Sequence, residues 1–427
     1  MNDRADLPKG WERTTVGEVG RYLNGRGFKK SEWNDTGRPI IRIQNLTGSS
    51  QVFNYYEGEA DERHTVRNGD LLVSWAATLG VYVWRGPEAV VNQHIFKVES
   101  YINPQFHRFM LDHALSDLRR QAHGSGMVHI TKGNFDATRL LLPPRAEQER
   151  IVGAIEEHLS RLDAAAASLA LAEQRLGTLH ARLVDDAFRT AHNSVPVGEL
   201  ADVRGGIQKQ PKRRPRDNPA PFLRVANVGR GIVTLDEVHE IELFEGEIDR
   251  YRLLDGDLLV VEGNGSPDQI GRSAVWRGQI EDCVHQNHLI RVRPGPKLDA
   301  DFLGHYWNAP STRSRLTAVA SSTSGLHTLS TSKVKQVEVP VLPLAQQAEI
   351  AKRLAAQSEA FSRLRASLRD AQARQARLRR SILSAAFSGQ LVPQDPDDEP
   401  ASVLLERITA ERAAAPPPKR RRKAASA

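Results

Sequence analysis

Apolar residues return every three or four positions along two long stretches of this chain. In the first, Ile155, His158, Leu162, Ala165, Leu169, Ala172, Leu176, Leu179, Leu183 and Asp186 share one heptad register. In the second the register reads Leu354, Gln357, Phe361, Leu364, Leu368, Ala371, Gln375, Leu378, Ile382 and Ala385. Eight of ten positions are apolar in each, against 40% hydrophobic residues overall, so each stretch predicts a long helix with a coiled-coil seam. Neither stretch contains proline, and only Gly177 interrupts the good helix formers. Some 40 residues at 1.5 Å each give about 60 Å. Either helix could simply cover its own domain. A seam this long fits better two helices packed antiparallel on one another, their outer faces left for partners.

Elsewhere the pattern is short and β-like. Runs at 40–43, 71–75, 81–84 and 95–98 alternate with Gly, Asn and Asp turn signals. They predict mixed, mainly β domains over 11–143 and 195–342, with a helix at 104–122 and a counterpart at 299–317. Trp84 and Trp276 hold equal places in a strand and are read as core.

The two halves are copies. Residues 125–188 reappear from 324 to 387, shifted by 199. PIIRIQN (39–45) matches PFLRVAN (221–227), GDLLV (69–73) matches GDLLV (256–260), VWRG (83–86) matches VWRG (275–278), and Gln93-His94 matches Asn287-His288. The order never changes while the offset grows, as in a tandem repeat whose loops lengthen. The expected fold is α+β: two mixed, mainly β domains separated by an antiparallel two-helix coiled coil, with pseudo-two-fold symmetry. The expected boundaries are 1–143 for the first domain, 144–190 for the central helix, 191–342 for the second domain, 343–390 for the C-terminal helix, and 391–427 for a short helix (401–413) with a basic, disordered tail.

Composition narrows the class. At 427 residues the chain has room for two or three cores. No run approaches a membrane span, the N-terminal residues read as polar rather than as a secretory signal, and one cysteine, Cys283, fits a reducing cytoplasm. Net charge is +7, a mild pointer to a polyanionic partner. The first helix with its flank is net −3 and the second +6, which favours pairing with each other.

Catalytic patterns are missing. There is no phosphate-binding G-x-x-x-x-G-K-[ST] loop. His285 and His288 lack accompanying carboxylates or cysteines, so metal binding is not expected. The glycine-containing stretch after 258–261 is followed by a strand pattern, which makes it a turn rather than a nucleotide loop.

Basic and amide side chains gather instead in the loops that differ between copies: Arg26, Lys29, Lys30 and Arg38 in the first; Gln208, Lys209, Lys212, Arg213, Arg214 and Arg216 in the second. Such groups neutralise phosphates, and Arg, Asn and Gln can also pair with purine edges. Any one such loop could be a solvated charge run; both copies carrying one at the same place favours DNA. Arg42, Gln44 and Asn45, matched by Arg224 and Asn227, stand at a strand end, where they read bases or anchor the turn. A second shared loop is small and polar: Ser125, His129 and Lys132 against Ser324, His327 and Lys333.

The chain resembles the specificity (S) subunits of type I restriction-modification systems. The resemblance rests on LPKGW (7–11) with VGE (16–18), on the doubled junctions LPPRAEQERI (142–151) and LPLAQQAEI (342–350), and on SAAFSGQLVP (384–393). It covers roughly residues 7–412 and implies two target-recognition domains that each read one half of a split DNA sequence. It further implies helices that dock two methyltransferase (M) subunits, and restriction (R) subunits in the larger complex. No cofactor is expected in this chain; S-adenosylmethionine would belong to M, and ATP with Mg to R. Readings of another class are a protein-binding scaffold with duplicated domains and an autonomous enzyme.

Overall fold

The computed structural model describes residues 7–76, 78–121, 131–189, 193–263, 269–320 and 328–414. The chain divides into two compact units, one made of residues 1–167 with 372–427 and the other of residues 168–371. The long helices Arg145–Asp186 and Leu344–Phe387 are each continuous, and each gives one part to either unit.

Within the first unit the helices pair antiparallel. Ile151, Ile155 and Leu159 share a core with Leu383 and Ala386. Further along, Gln375 donates to the Leu162 carbonyl at 3.1 Å and Arg379 meets Asp163 at 2.9 Å. Within the second unit Ala187 shares a core with Ile350, Ala351 and Leu354, and His180 stacks on Phe361 at 4.5 Å. Opposite charge plays a small part, since an exposed pair such as Arg379–Asp163 contributes about 1 kcal/mol or less.

One column of the expected seam holds and the other is displaced. Ile155, Leu162, Leu169, Leu176 and Leu183 turn inward, as do Leu354, Phe361, Leu368, Gln375 and Ile382. The second column lies one residue later than expected, at Leu159, Ala166, His180 and Ala187, and at Ser358, Arg365, Gln372, Arg379 and Ala386. Leu179, Leu364 and Leu378 are thus 51%, 52% and 54% exposed. The phase is set at the helix starts: burying Ile151, Ile155 and Leu159 in the domain core imposes four-residue steps. Hydrophobicity alone favoured leucine over the adjacent His180, Arg365 and Arg379, whose side chains can lie along a seam with their polar ends outward.

The same strand order is built twice. In the first unit a four-stranded antiparallel sheet runs Gly20–Asn24, Ile95–Ser100, Leu71–Ser74, Gly80–Val83. In the second it runs Ala201–Gly205, Leu289–Pro294, Leu258–Val261, Ser273–Val275. A second sheet in each contains a parallel pair, Arg38–Ile41 with Ala89–Val91 at the centre of four strands and Pro219–Leu223 with Val284–His285 at the edge of three. The strand expected over 40–43 therefore ends at Ile41, because Arg42 caps a short helix, Ile43–Leu46. Trp84 is 8% exposed and Trp276 fully buried, both core as expected.

The helix Pro104–Gln121 is single, whereas its counterpart breaks into Ala300–Asn308 and Pro310–Ala320. Pro310 has no amide proton to continue the ladder and holds Ala309 extended (φ −61°, ψ 142°).

The doubled P-x-x-x-Q junction has a structural purpose. Gln148 is fully buried; its side-chain oxygen accepts from the Asn103 amide and its nitrogen donates to the Pro143 carbonyl, both at 3.0 Å. Gln347 accepts from Asp299 at 2.8 Å and donates to Lys297 and Leu342 at 3.0 and 2.8 Å. Each glutamine ties its long helix to the helix that follows the main sheet.

The first unit alone is closed by the C-terminal segment. Ala401 donates to the Gly10 carbonyl at 2.9 Å, Arg150 pairs with Asp398, and Arg412, on the helix Ala401–Ala414, donates to Gly17 at 3.0 Å. The basic tail lies outside the described residues.

Candidate nucleic-acid interface

Five separate stretches of the first repeat meet at one end of its two sheets. The turn between Ala89–Val91 and Ile95–Ser100, residues 92–94, is the centre. Beside it the first basic loop begins, with the Gly25 and Arg26 amides bonded to Ile95 and Val91 at 2.9 Å. The strand end before Arg42 joins it through the Asn92 amide on Ile41 at 3.0 Å, and Trp75 through its amide on His94 at 3.3 Å. Lys132, from the second shared loop, lies over Phe96 at 5.7 Å.

The second unit repeats this convergence. Ile207 donates to His285 at 2.8 Å, Gln286 to Leu223 at 2.9 Å, Glu262 to His288 at 3.0 Å, and Leu329 to Glu262 at 2.8 Å. Gly206 belongs to the close packing here: a Cβ would fall 2.2 Å from the His285 carbonyl oxygen. Gly25 shows the same crowding, 2.1 Å from that of Asn92. Both positions lie at the root of a basic loop and exclude a side chain.

Several of the basic residues singled out above are held by acids of their own unit. Arg26 donates to Tyr56 at 2.8 Å, pairs with Glu32 and lies over Phe28 at 5.0 Å; the Tyr56 bond, then Glu32, raises its pKa further. Arg38 reaches Glu88 at 3.5 Å and the Gly58 carbonyl. In the second loop Arg213 makes a two-pronged pair with Glu247, both bonds 2.7 Å, and stacks on Phe244 at 4.4 Å. The bond from Arg213 is the main cause that holds the Glu247 carboxyl below its ordinary range. Glu242 gathers the amides of Arg216, Asp217 and Asn218 at 2.7, 3.2 and 2.8 Å, which likewise lowers its pKa.

What remains presented outward is a smaller set. Lys29, Lys30 and Gln44 are exposed in the first unit; Gln208, Lys209, Lys212, Arg214 and Arg216 in the second. Lys209, Arg214 and His239 line a cleft of about 500 Å³ with Phe222 at its wall. Lys132 pairs with Asp136 at 2.6 Å, and Lys333 donates to the Thr328 carbonyl at 3.3 Å. Of the two roles open to the strand-end residues, the amides of Asn45 and Asn227 take the anchoring one. Asn45 accepts from the Arg42 amide at 3.0 Å and donates to Val52 at 2.9 Å. Asn227, 3% exposed, accepts from Arg224 at 2.8 Å and donates to Thr234 and Glu237. Arg42 lies over Trp33 at 5.4 Å and Arg224 pairs with Glu237 at 3.1 Å. Ser125, His129, Ser324 and His327 lie outside the described residues.

The turn at the centre, Gln93-His94 and Asn287-His288, was not among the candidates from sequence. The signal that could have found it was present: it is a polar block kept between copies, beside strands whose side chains are buried. His285, by contrast, is fully buried and bonded to the Leu289 carbonyl at 2.9 Å, and burial pushes its pKa down to about 4. No cluster of metal-ligating side chains occurs among the described residues.

Comparison with known proteins adds relatives. Residues 8–171 match the type I restriction modification DNA specificity domain. The chain is 25% identical to the type I restriction enzyme EcoKI specificity subunit of Escherichia coli K12, over 95% of this chain and 96% of that one. It is 26% identical to the EcoBI specificity subunit of Escherichia coli, over 97% and 94%. A chain solved for the complex assembly and conformational transition of the type I R-M system superposes with a TM-score of 0.73 at 18% identity, covering 90% of this chain and all of that one. That likeness shows the two-domain coiled-coil fold. Over nearly its whole length the chain is thus similar to type I restriction enzyme specificity subunits, in keeping with the resemblance read from the junctions.

Proposed function

We propose that this chain is the sequence-specific DNA-recognition subunit of a type I restriction-modification complex, and is not itself an enzyme. Each unit reads one half of a bipartite double-stranded target, and the long helices dock two methyltransferase subunits and, through the larger complex, restriction subunits. The observation that carries this reading is the doubled convergence, in which a basic loop, a strand end and a polar turn meet at the same end of both units. Phosphate neutralisation falls to the exposed Lys29, Lys30, Lys209, Lys212, Arg214 and Arg216. Lys132 and Lys333 add to the same surface, while Arg26, Arg38, Arg42, Arg213 and Arg224 shape it; a DNA-contacting role is proposed for Ser125, His129, Ser324 and His327 as well. S-adenosylmethionine is then the cofactor of the methyltransferase subunits, and ATP with Mg that of the restriction subunits. No described helix is long and apolar enough to cross a membrane, in keeping with a cytoplasmic place of action.

Mapping N6-methyladenine genome-wide with and without this gene tests the reading: one split motif should disappear. Binding of that motif by the complex with methyltransferase subunits should fall steeply with salt, log K against log[salt] having a slope of about −0.9 per phosphate contact. Methyl transfer by the isolated chain, or indifference of every methylated motif to its loss, would sink the proposal.

A further inference from the structure

The polar turn at the centre of each unit carries the same side-chain device twice. In the first unit Gln93 Nε2 lies 3.3 Å from His94 Nε2; in the second, Asn287 Nδ2 lies 3.5 Å from His288 Nε2. The imidazole is in turn backed by the residue whose amide bonds to the turn. In the second unit this is Glu262, with its carboxylate 2.8 Å from His288 Nδ1. In the first it is Trp75, its ring 5.6 Å from that of His94. A carboxylate on Nδ1 keeps the proton there, so Nε2 is left to accept from the asparagine amide. That bond uses one of the two amide protons. The amide keeps a second donor proton and its carbonyl acceptor, the two kinds of group with which an Asn or Gln side chain pairs with adenine N7 and N6 in the major groove.

Resting on the DNA-recognition reading above, we propose that the amides of Gln93 and Asn287, each oriented by the following histidine, are base-reading groups, one per half-site. The turn is suited to it in three ways. It stands between the root of the basic loop and the strand end, so phosphate-binding groups flank it on the loop side. Gln93 is exposed and Asn287 half-buried, so neither amide is closed off from a ligand. The main chain beneath is bonded to all its neighbours, which holds the amide on a rigid base rather than on a free loop. The two copies also differ where two halves of a target must differ. Glutamine reaches one methylene further than asparagine, and the backing group is an indole in one copy and a carboxylate in the other. Glu262 and His94 are therefore positioning residues, acting on the base only through the amide.

The test uses the complex with methyltransferase subunits and begins from the wild-type bipartite motif obtained by methylation mapping. In the Asn287→Ala complex one adenine-containing base pair, in one half only, should lose about tenfold or more of its discrimination, the other half being unchanged. Gln93→Ala should do the same in the opposite half. Glu262→Gln should weaken discrimination at the Asn287 position and leave the remaining positions alone, an effect a merely structural turn residue would not produce. If Asn287→Ala fails to assemble, Asn287→Gln, which keeps the amide, decides in its place: relaxed or altered preference at one position supports the proposal. Motifs unchanged in all variants, or binding weakened uniformly over all sequences, overturns it. Absence of any bipartite motif in the wild type would instead overturn the DNA-recognition reading itself.

Discussion

The two units share their strand order and their central turn, yet hold their variable loops by unrelated means. In the first, Arg26 is gripped by Tyr56 and Glu32. In the second, Glu247 grips Arg213 while Glu242 gathers three successive main-chain amides. Scaffold bonds, by contrast, come from residues at matched repeat positions: Gln148 with Gln347 and Asn45 with Asn227. The difference separates two tasks. Bonds that fix the domain on its helix tolerate no change of partner, because the groups are buried. Bonds that shape a reading loop need only some acid or hydroxyl within reach, so they can be reinvented when the loop changes its target.

The largest effect expected on this comparison comes from exchange of a whole reader. Replacing residues 11–143 by those of another specificity subunit should change one half of the methylated motif and leave the other. Methylation mapping of the hybrid decides it, and a change in both halves would break the independence of the units. Next come the glutamine latches. Gln148→Ala and Gln347→Ala each leave a main-chain amide and carbonyl without partners in a buried site, a loss of about 2–4 kcal/mol, read as a clear fall in thermal stability of comparable size in both variants.

Loop pins should matter less and unequally. The side chains of Arg213 and Glu247 are 12% and 19% exposed, those of Arg26 and Glu32 35% and 25%. Arg213→Ala should cost about 1–3 kcal/mol, since its paired bonds are charge-assisted and largely shielded. Arg26→Ala should cost about 1 kcal/mol or less. Urea unfolding of the two variants side by side would show whether the order is right.

The smallest effect concerns an acid found in one copy only. Glu147 is fully buried and accepts from Trp11 at 3.0 Å and Gln394 at 3.3 Å; its repeat counterpart is the exposed Gln346. Burial raises the Glu147 pKa above its ordinary 4.5. The folded state therefore takes up a proton more readily than the unfolded one. This group's contribution to stability falls as pH rises from 4.5 through the folded-state value, and is recovered on acidification. Glu147→Gln should remove that dependence, so the melting temperature of the wild type relative to the variant should rise between pH 7 and pH 4.5. A constant difference across that range would show that the carboxyl is not penalised by burial.

Much of this molecule was legible in one dimension because the repeat is legible there. Strands, turns and helix stretches are local, so five matched blocks in fixed order were enough to foretell two similar β-rich domains and two long paired helices. The resemblance to type I specificity subunits followed from junction residues whose role, the Gln148 and Gln347 latches, is itself a local tie between a helix start and its neighbour. Three things required the folded chain. The phase of the helix seam was set by domain cores that bury Ile151, Ile155 and Leu159, whereas the leucine pattern pointed one residue away. The split at Pro310 was written in the residue, but its counterpart in the first copy has no proline and hid it. And the meeting of residues 25–26, 42, 75 and 93–94 depends on strand pairings between segments up to seventy residues apart. Hydrogen-bond partners at that separation leave no trace in composition or periodicity, since either is a property of neighbours along the chain.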